Sequence, residues 1–235
     1  MHADAVTRGS EAVERTFCFV DLAGFTALTE AHGDAEAVAL LDEFLSLTRA
    51  ALGPDDELVK SIGDAVMLAS PGPDSALQAV ASLMTSCRHA SGFPLPRAGA
   101  HHGAAICRDG DYLGGAVNLA ARVAGHAAGG QLLATGVVAE AARSMAVEVV
   151  AHGPHELHNV SEPVDLFEIH LEPWSGPHTI DPVCRMHVDP EHAAGSLRHG
   201  GAEYWFCSLS CVSAFASSPS RYIAMSAVRG RTDTP

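Results

Sequence analysis

The 235-residue chain reads as an α/β sandwich built around hairpins, followed by a small α+β domain. Three observations predict this. Short β-branched or aromatic runs alternate with stretches of helical apolar spacing, and glycine turns between some of the runs are too tight for crossover helices. Acidic residues are unevenly placed: residues 178–235 carry five acidic and five basic groups, so the whole formal charge of −14 lies in residues 1–177. Pro173, Gly176 and Pro177 fall at that composition boundary and read as a linker. The expected organisation is an N-terminal tail over 1–14, a first domain over 15–171, a linker over 172–177, a second domain over 178–224 and a C-terminal tail over 225–235, both tails flexible.

Thr16 to Asp21 is a β-branched and aromatic run, and Leu22 to Thr26 form a glycine-containing turn into a helix. Val38, Leu41, Leu45 and Leu52 continue at helical spacing. Leu58 to Lys60 and Ala65 to Leu68 flank Ile62, Gly63 and Asp64, a hairpin with glycine at its tight point. A helix is expected over 75–89, then a strand from Arg97 to Cys107 ending in Asp109-Gly110, then an Ala/Val-rich helix over 116–126. Strands over 131–135, 147–151 and 164–170 complete the first domain.

Composition excludes some functions. Twenty-eight acidic against fourteen basic residues repel nucleic acid and anionic membranes, so neither is an expected partner. The uncharged runs at 123–139 and 204–220 are too polar and too short to span a bilayer, and Met1 leads into a polar segment without a secretory pattern. A cytoplasmic protein is expected, in which six cysteines are thiols or metal ligands and not disulfides.

Two carboxylates are candidates for binding a hard cation. Asp21 closes a strand before a turn whose backbone N–H groups can meet phosphate, and Asp64 lies just past the hairpin tip, where it is expected to be displayed and not buried. Lys60 is the only lysine in a chain with thirteen arginines, on the opposite hairpin arm from Asp64. Asn118 and Arg122, four residues apart, share one helix face; Asp111 precedes that helix in a loop. Each also has a bland reading as a cap, a solvated end or an exposed polar pair.

Together, Phe19-Val20-Asp21-Leu22-Ala23-Gly24-Phe25-Thr26, Val59-Lys60-Ser61-Ile62-Gly63-Asp64 and the segment Asp111 to Arg122 resemble the class III nucleotidyl cyclase catalytic domain, with its ferredoxin-like fold. The resemblance covers roughly 15–171. It implies that Asp21 and Asp64 hold two Mg2+ or Mn2+ ions and that the turn Leu22, Gly24, Phe25 and Thr26 contacts the triphosphate. Lys60 and Asp111 correspond to the purine-reading pair, and Asn118 and Arg122 to the ribose-orienting and transition-state-stabilising pair. Adenine presents a ring-nitrogen acceptor to lysine and an amine to aspartate, whereas guanine presents the reverse, so ATP is the expected substrate and 3',5'-cyclic AMP the product. Leu157-His158-Asn159-Val160 stands where relatives carry a Leu-Lys-Gly-Val stretch. His158 supplies charge only when protonated, so slow or pH-dependent turnover is expected. The resemblance further implies a twofold homodimer sharing its sites, with Asp21 and Asp64 from one protomer meeting Lys60, Asp111, Asn118 and Arg122 of the other. A weakly active or inactive nucleotide-binding, metal-sensing module is the alternative.

Cys184, Cys207 and Cys211 have the spacing C-x22-C-x3-C, while Cys18, Cys87 and Cys107 are scattered and read as small buried hydrophobes. Asp181-Pro182-Val183-Cys184-Arg185-Met186 and Tyr204-Trp205-Phe206-Cys207-Ser208 through Cys211, Phe215, Pro219 and Tyr222 resemble a YHS domain of the TRASH-like group, with Arg185 replacing the usual glycine. Three thiolates suit one Zn2+ or Cu+, with His187 as a candidate fourth ligand. A structural knuckle and a regulatory sensor are both compatible with them. His101-His102 is not read as a ligand pair, because neighbours on a strand face opposite sides.

Overall fold

The computed structural model describes residues 11–90, 92–171 and 179–228. The linker at 172–177 and the ends at 1–10 and 229–235 lie outside the described residues. β1 (Glu11–Leu22), α1 (Phe25–His32), α2 (Asp34–Ala51), β2 (Glu57–Ile62), β3 (Ala65–Ser70), α3 (Pro73–His89) and β4 (Pro96–Arg108) follow in order. β5 (Asp111–Leu113), α4 (Gly115–His126), β6 (Leu132–Ala134), α5 (Gly136–Ser144), β7 (Glu148–His155) and β8 (Val164–His170) complete the first domain. Its sheet has the order β2-β3-β1-β4-β6-β8-β7, with β5 added to β4. Only the β4–β6 pairing is parallel.

β1 runs through the middle, antiparallel to both β3 and β4. Its side chains alternate between two layers, as the two-residue period of a strand requires. Cys18, Val20 and Leu22 enter a core with Val66, Leu68, Leu83 and Val138, toward α3 and α5. Phe17 enters the opposite cluster with Met67, Tyr112, Val117 and Ala120 of α4. α4 lies directly on β4 at Gly99, where an added Cβ would stand 2.0 Å from the Ala124 backbone nitrogen. A side chain at that position and this helix exclude each other.

Several expectations needed adjustment. β1 begins at Glu11, so Glu11 to Glu14 are paired strand and not tail; Glu11 is in register with Cys107. Asp111 opens β5, a strand folded back on β4 through Asp109-Gly110, and is not in a loop. Both turn residues have positive φ, 53° and 78°, the turn that aspartate-glycine favours in a two-residue hairpin. α1 is separated from α2 by Gly33 at φ 87°. α5 had no predicted counterpart.

The second domain contains β9 (Thr179–Ile180), β10 (His187–Val188), β11 (Gly195–His199), β12 (Ala202–Phe206), α6 (Leu209–Ser217) and α7 (Pro219–Val228). α7 extends helix over four residues expected to be tail. Val183, Cys184, Met186, Phe206 and Phe215 join the same buried cluster as Leu28 and Phe93 of the first domain. A backbone bond from His187 N to the Phe93 oxygen, 2.9 Å, and a bridge between Pro94 and Met186 complete the seam.

The helix on Gly99 yields a prediction. Gly99→Ala is expected to destabilise the fold by about 3 kcal/mol or more, because the clash is with backbone and cannot be relieved by a rotamer change. Chemical denaturation measures it, and a cost below about 1 kcal/mol would mean that α4 can shift from β4.

Candidate active site and thiolate centre

The antiparallel register fixes the first group of side chains. Asp21 faces Ala65 on β3 and Arg97 on β4. Asp64 occupies the turn just before Ala65, with its carbonyl accepting from Leu22 N at 3.3 Å. Two carboxylates therefore converge where β1 ends. Asp64 is half-buried, contrary to the displayed position expected for it, because the turn folds against β1. Burial, followed by the charge and hydrogen bond of Asp21, pushes its carboxyl up to about 6. Arg97 donates through Nε to Asp21 Oδ2 at 2.7 Å, and its Nη2 bonds the same oxygen. No sequence pattern marked Arg97; only the β1–β4 register brings it there.

Beyond Asp21 the chain turns sharply. Ala23 N donates to the Leu95 oxygen, 3.1 Å, and Gly24 takes φ 90° before α1 begins at Phe25. No side chain caps α1, so its first-turn N–H groups remain available to an anion. The carboxylate pair and this N-terminus suit a divalent cation carrying phosphates.

Lys60 and Asp111 meet on β2 and β5. Lys60 Nζ donates to both Asp111 oxygens, at 2.7 and 2.6 Å, and Tyr112 N donates to Oδ1 at 2.8 Å. The Lys60 hydrogen bond holds the Asp111 carboxyl below its usual range. Tyr112 anchors the arm by donating to Glu57 at 3.0 Å and packing on Phe17, ring centroids 5.4 Å apart. Among the described residues, no hydrogen bond or ion pair joins Lys60 and Asp111 to Asp21 and Asp64. Asn118 and Arg122 are exposed on one face of α4, as their spacing predicts. His158 is exposed in the turn closed by Val160 N and the Leu157 oxygen, 3.0 Å.

The second group is sulfur-rich. Cys184 and Cys207 Sγ are 3.3 Å apart, and Cys207 and Cys211 Sγ 3.8 Å. Hydrogen bonding from Cys184 and Cys207 lowers the Cys211 thiol, while the same sharing and burial raise Cys184. Fully buried Asp181 shapes the cluster: Oδ1 accepts from Val183 N at 2.8 Å and Oδ2 from Cys207 N at 2.9 Å. Ser208 caps α6 by accepting from Cys211 N, 3.2 Å. His187 is not the fourth member, since it sits in β10 within the seam, its backbone N–H bonded to the Phe93 oxygen. The group whose ligand atoms all lie within 4.8 Å is His32, Cys184, Cys207 and Cys211. Sequence reasoning missed His32, which lies in the first domain.

Cys18, Cys87 and Cys107 are free thiols of the first domain, apart from this cluster. Burial pushes Cys18 and Cys87 up to about 12. Cys107 is half-buried, less covered than expected. His101 bonds Thr135 Oγ1 at 2.7 Å and His102 bonds Thr16 Oγ1 at 2.9 Å, on different partners as adjacent strand residues should.

Residues 10–170 match the family described as the adenylate and guanylate cyclase catalytic domain. The chain belongs to that family. Residues 179–225 match the YHS domain. A Mycobacterium tuberculosis protein is 39% identical over 158 residues, 66% of this chain and 41% of its own. A pH-sensitive adenylate cyclase of the same species is 34% identical over 181 residues, 72% of this chain and 46% of its own. A stretch of 43 residues, 18% of this chain, is 49% identical to a copper-transporting P-type ATPase of Rhizobium leguminosarum, of which it covers 5%. A structure of the Trypanosoma brucei adenylate cyclases in their monomeric state superposes with TM-score 0.61 at 25% identity, covering 66% of this chain and 87% of that one. This cyclase chain thus spans less than half the length of the curated relatives that match its catalytic domain.

In the cyclase domain the crowding of the two carboxylates implies a pH-dependent stability. A carboxyl raised in the fold favours the protonated state, so its stabilising contribution is complete below the unfolded value of 3.8 and is lost as pH rises through about 6. At pH 7, without divalent metal, Asp64→Asn is expected to stabilise the protein by about 1 kcal/mol after solvent screening. The gain should vanish near pH 4. Thermal melts at the two pH values check this, and a variant melting below wild type at pH 7 contradicts a repulsive pair.

Proposed function

We propose that the chain converts ATP to 3',5'-cyclic AMP and pyrophosphate at two shared sites of a homodimer, and that the YHS domain holds a thiolate-bound metal. The observation that carries the choice of ATP is the Lys60–Asp111 pair, a donor and an acceptor held 2.6 Å apart. Lys60 can donate to the adenine ring nitrogen while Asp111 accepts from the exocyclic amine, each exchanging its present partner for the base. The pH-sensitive adenylate cyclase relative supports the same substrate.

Asp21 and Asp64 would hold two Mg2+ or Mn2+ ions, and their mutual repulsion fits that role. Bound divalent ions supply positive charge to the triphosphate and acidify the ribose 3'-hydroxyl. The turn from Leu22 through Gly24, Phe25 and Thr26 directs backbone N–H groups at the phosphates. Asn118 positions the ribose, and the Arg122 fork meets the charge that grows on the α-phosphoryl oxygens. The 3'-oxygen forms its bond to the α-phosphorus, the bond to the bridging oxygen breaks, and pyrophosphate leaves with that electron pair while the hydroxyl proton passes to solvent.

A dimer is supported by the absence, among the described residues, of a hydrogen bond or ion pair joining Lys60 and Asp111 to Asp21 and Asp64 within one chain. Exposed Ile62 and Leu113 lie on the strands that carry Lys60 and Asp111, exposed Ile106 of β4 pairs with Leu113, and apolar surface of this kind favours a partner. A twofold axis would unite one protomer's carboxylates with the other's Lys60, Asp111, Asn118 and Arg122. A cytoplasmic setting is supported by six unpaired cysteines and by the absence, among the described residues, of a helix long and apolar enough to cross a membrane. A second reading, nucleotide binding with little turnover, is favoured by one observation: Arg97 already neutralises Asp21.

Cyclic AMP formation from ATP with Mg2+ or Mn2+ decides between the readings. Wild type should turn over ATP in preference to GTP, and Asp21→Ala or Asp64→Ala should lose at least about 100-fold of that activity, as loss of a metal-held charge in the transition state implies. No cyclic AMP with either metal from a folded dimer would favour the binding module. Mixing Asp21→Ala with Arg122→Ala protein under subunit exchange should restore activity, because the heterodimer has one intact site. Verified exchange without recovery excludes shared sites.

A further inference from the structure

We propose that His32 of the cyclase domain is the fourth ligand of the YHS thiolate centre, making it an interdomain Zn2+ site that fastens α1 to the second domain. The inference rests on the thiolate reading of Cys184, Cys207 and Cys211 and adds a ligand from a different domain. His32 Nε2 stands 3.6 Å from Cys207 Sγ and 3.8 Å from Cys211 Sγ. With the sulfur separations of 3.3 and 3.8 Å, these are close to the edges of a tetrahedron around an ion bonded at about 2.0–2.3 Å, the Cys3His arrangement of zinc. A fourth, nitrogen ligand at this spacing favours Zn2+ over Cu+, which the three sulfurs alone would suit.

The placement of His32 gives the site its consequence. α1 starts at Phe25, immediately after the Asp21 turn, and ends at His32, where Gly33 at φ 87° breaks the chain away. Eight helical residues span about 12 Å, so the ligand and the phosphate turn are opposite ends of one short rigid element. The YHS domain touches both ends. At the far end Cys207 and Cys211 meet His32, and at the near end the Arg185 side chain packs on Gly24, where an added Cβ would lie 2.6 Å from Arg185 Cβ. A metal bound at one end therefore restrains α1 against a domain that also contacts the turn at the other. Loss of metal releases the His32 end and leaves the apolar seam of Phe93 and Met186 to hold the domains together.

The test uses the full chain, with Zn2+ competition against a chromophoric chelator, Co2+ absorption spectra and amide hydrogen exchange across α1. Wild type should bind one Zn2+ per chain, give a tetrahedral Co2+ spectrum with sulfur charge-transfer bands, and show faster α1 exchange once metal is removed. His32→Ala should weaken Zn2+ by at least about 10-fold, since loss of a mere outer-shell partner already costs that much. It should also abolish the metal dependence of α1 exchange. His32→Cys should recover affinity with a four-sulfur spectrum, which separates ligand loss from misfolding, and His187→Ala should leave affinity and spectrum as in wild type. If His32→Ala matches wild type in all three readouts while Cys207→Ser loses the metal, the thiolate centre stands and the interdomain ligand is overturned. Sulfur-only Cu+ coordination has the same meaning. Wild type that binds no metal removes both.

Discussion

The structure turns on two like charges that the backbone holds together. Antiparallel pairing of β1 with β3 sets Asp21 opposite Ala65, and the hairpin turn leaves no other place for Asp64 than beside it. Neither carboxylate can retreat, because Leu22 is buried one residue beyond Asp21 and the Leu22 N–H is tied to the Asp64 carbonyl. Arg97, brought to the same point by β4, offsets part of the repulsion. A fold optimised for stability alone would not place acids there. The arrangement is the kind of local cost that cation chemistry repays.

Two layers of packing keep that point rigid. Alternation along β1 sends Phe17 toward α4 and Cys18, Val20 and Leu22 toward α3 and α5, so the strand is clamped from both sides. β4 is equally constrained where Gly99 lies beneath Ala124. The arm that carries Asp111 is an extension of β4, steadied by Tyr112 on Phe17 and Glu57. The two candidate groups of the active site thus project from different elements around one sheet, and among the described residues no hydrogen bond or ion pair joins Lys60 and Asp111 to Asp21 and Asp64.

Most of this was legible because it is local. The Lys60-Ser61-Ile62-Gly63-Asp64 hairpin, the Asp109-Gly110 turn and the i, i+4 pair on α4 are each written within a few residues. α5 was not legible, since Gly136 and the β-branched Val137 and Val138 weaken a helix of only nine residues whose apolar face is set by tertiary packing. Arg97 and His32 were hidden for another reason. Arg97 meets Asp21 76 positions away through sheet register, and His32 meets Cys207 across 175 positions. No spacing rule reaches so far. His187 was the natural candidate because it lies near Cys184 in sequence, but β10 pairs with β9 and turns toward Phe93, which puts it in the seam.

The seam also explains two backbone choices that local rules leave unconnected. Arg185 takes φ 67°, a left-handed conformation that costs an ordinary residue about 1 kcal/mol or more. Arg185 N donates to the Asp181 carbonyl, 2.9 Å, and the adjoining Cys184 N donates to Oδ1 of the same aspartate, so the turn that orients the first cysteine forces the conformation. Glycine would relieve that strain but would bring no side chain to Gly24. On the other side, Gly24 needs its missing Cβ twice: φ 90° lets the chain leave Asp21 for α1, and the vacant space receives Arg185. The glycine of one turn and the arginine of the other are therefore complementary. Strain accepted in the YHS loop is offset by contact with the cyclase turn, so the geometry around Asp21 is determined jointly by the two domains.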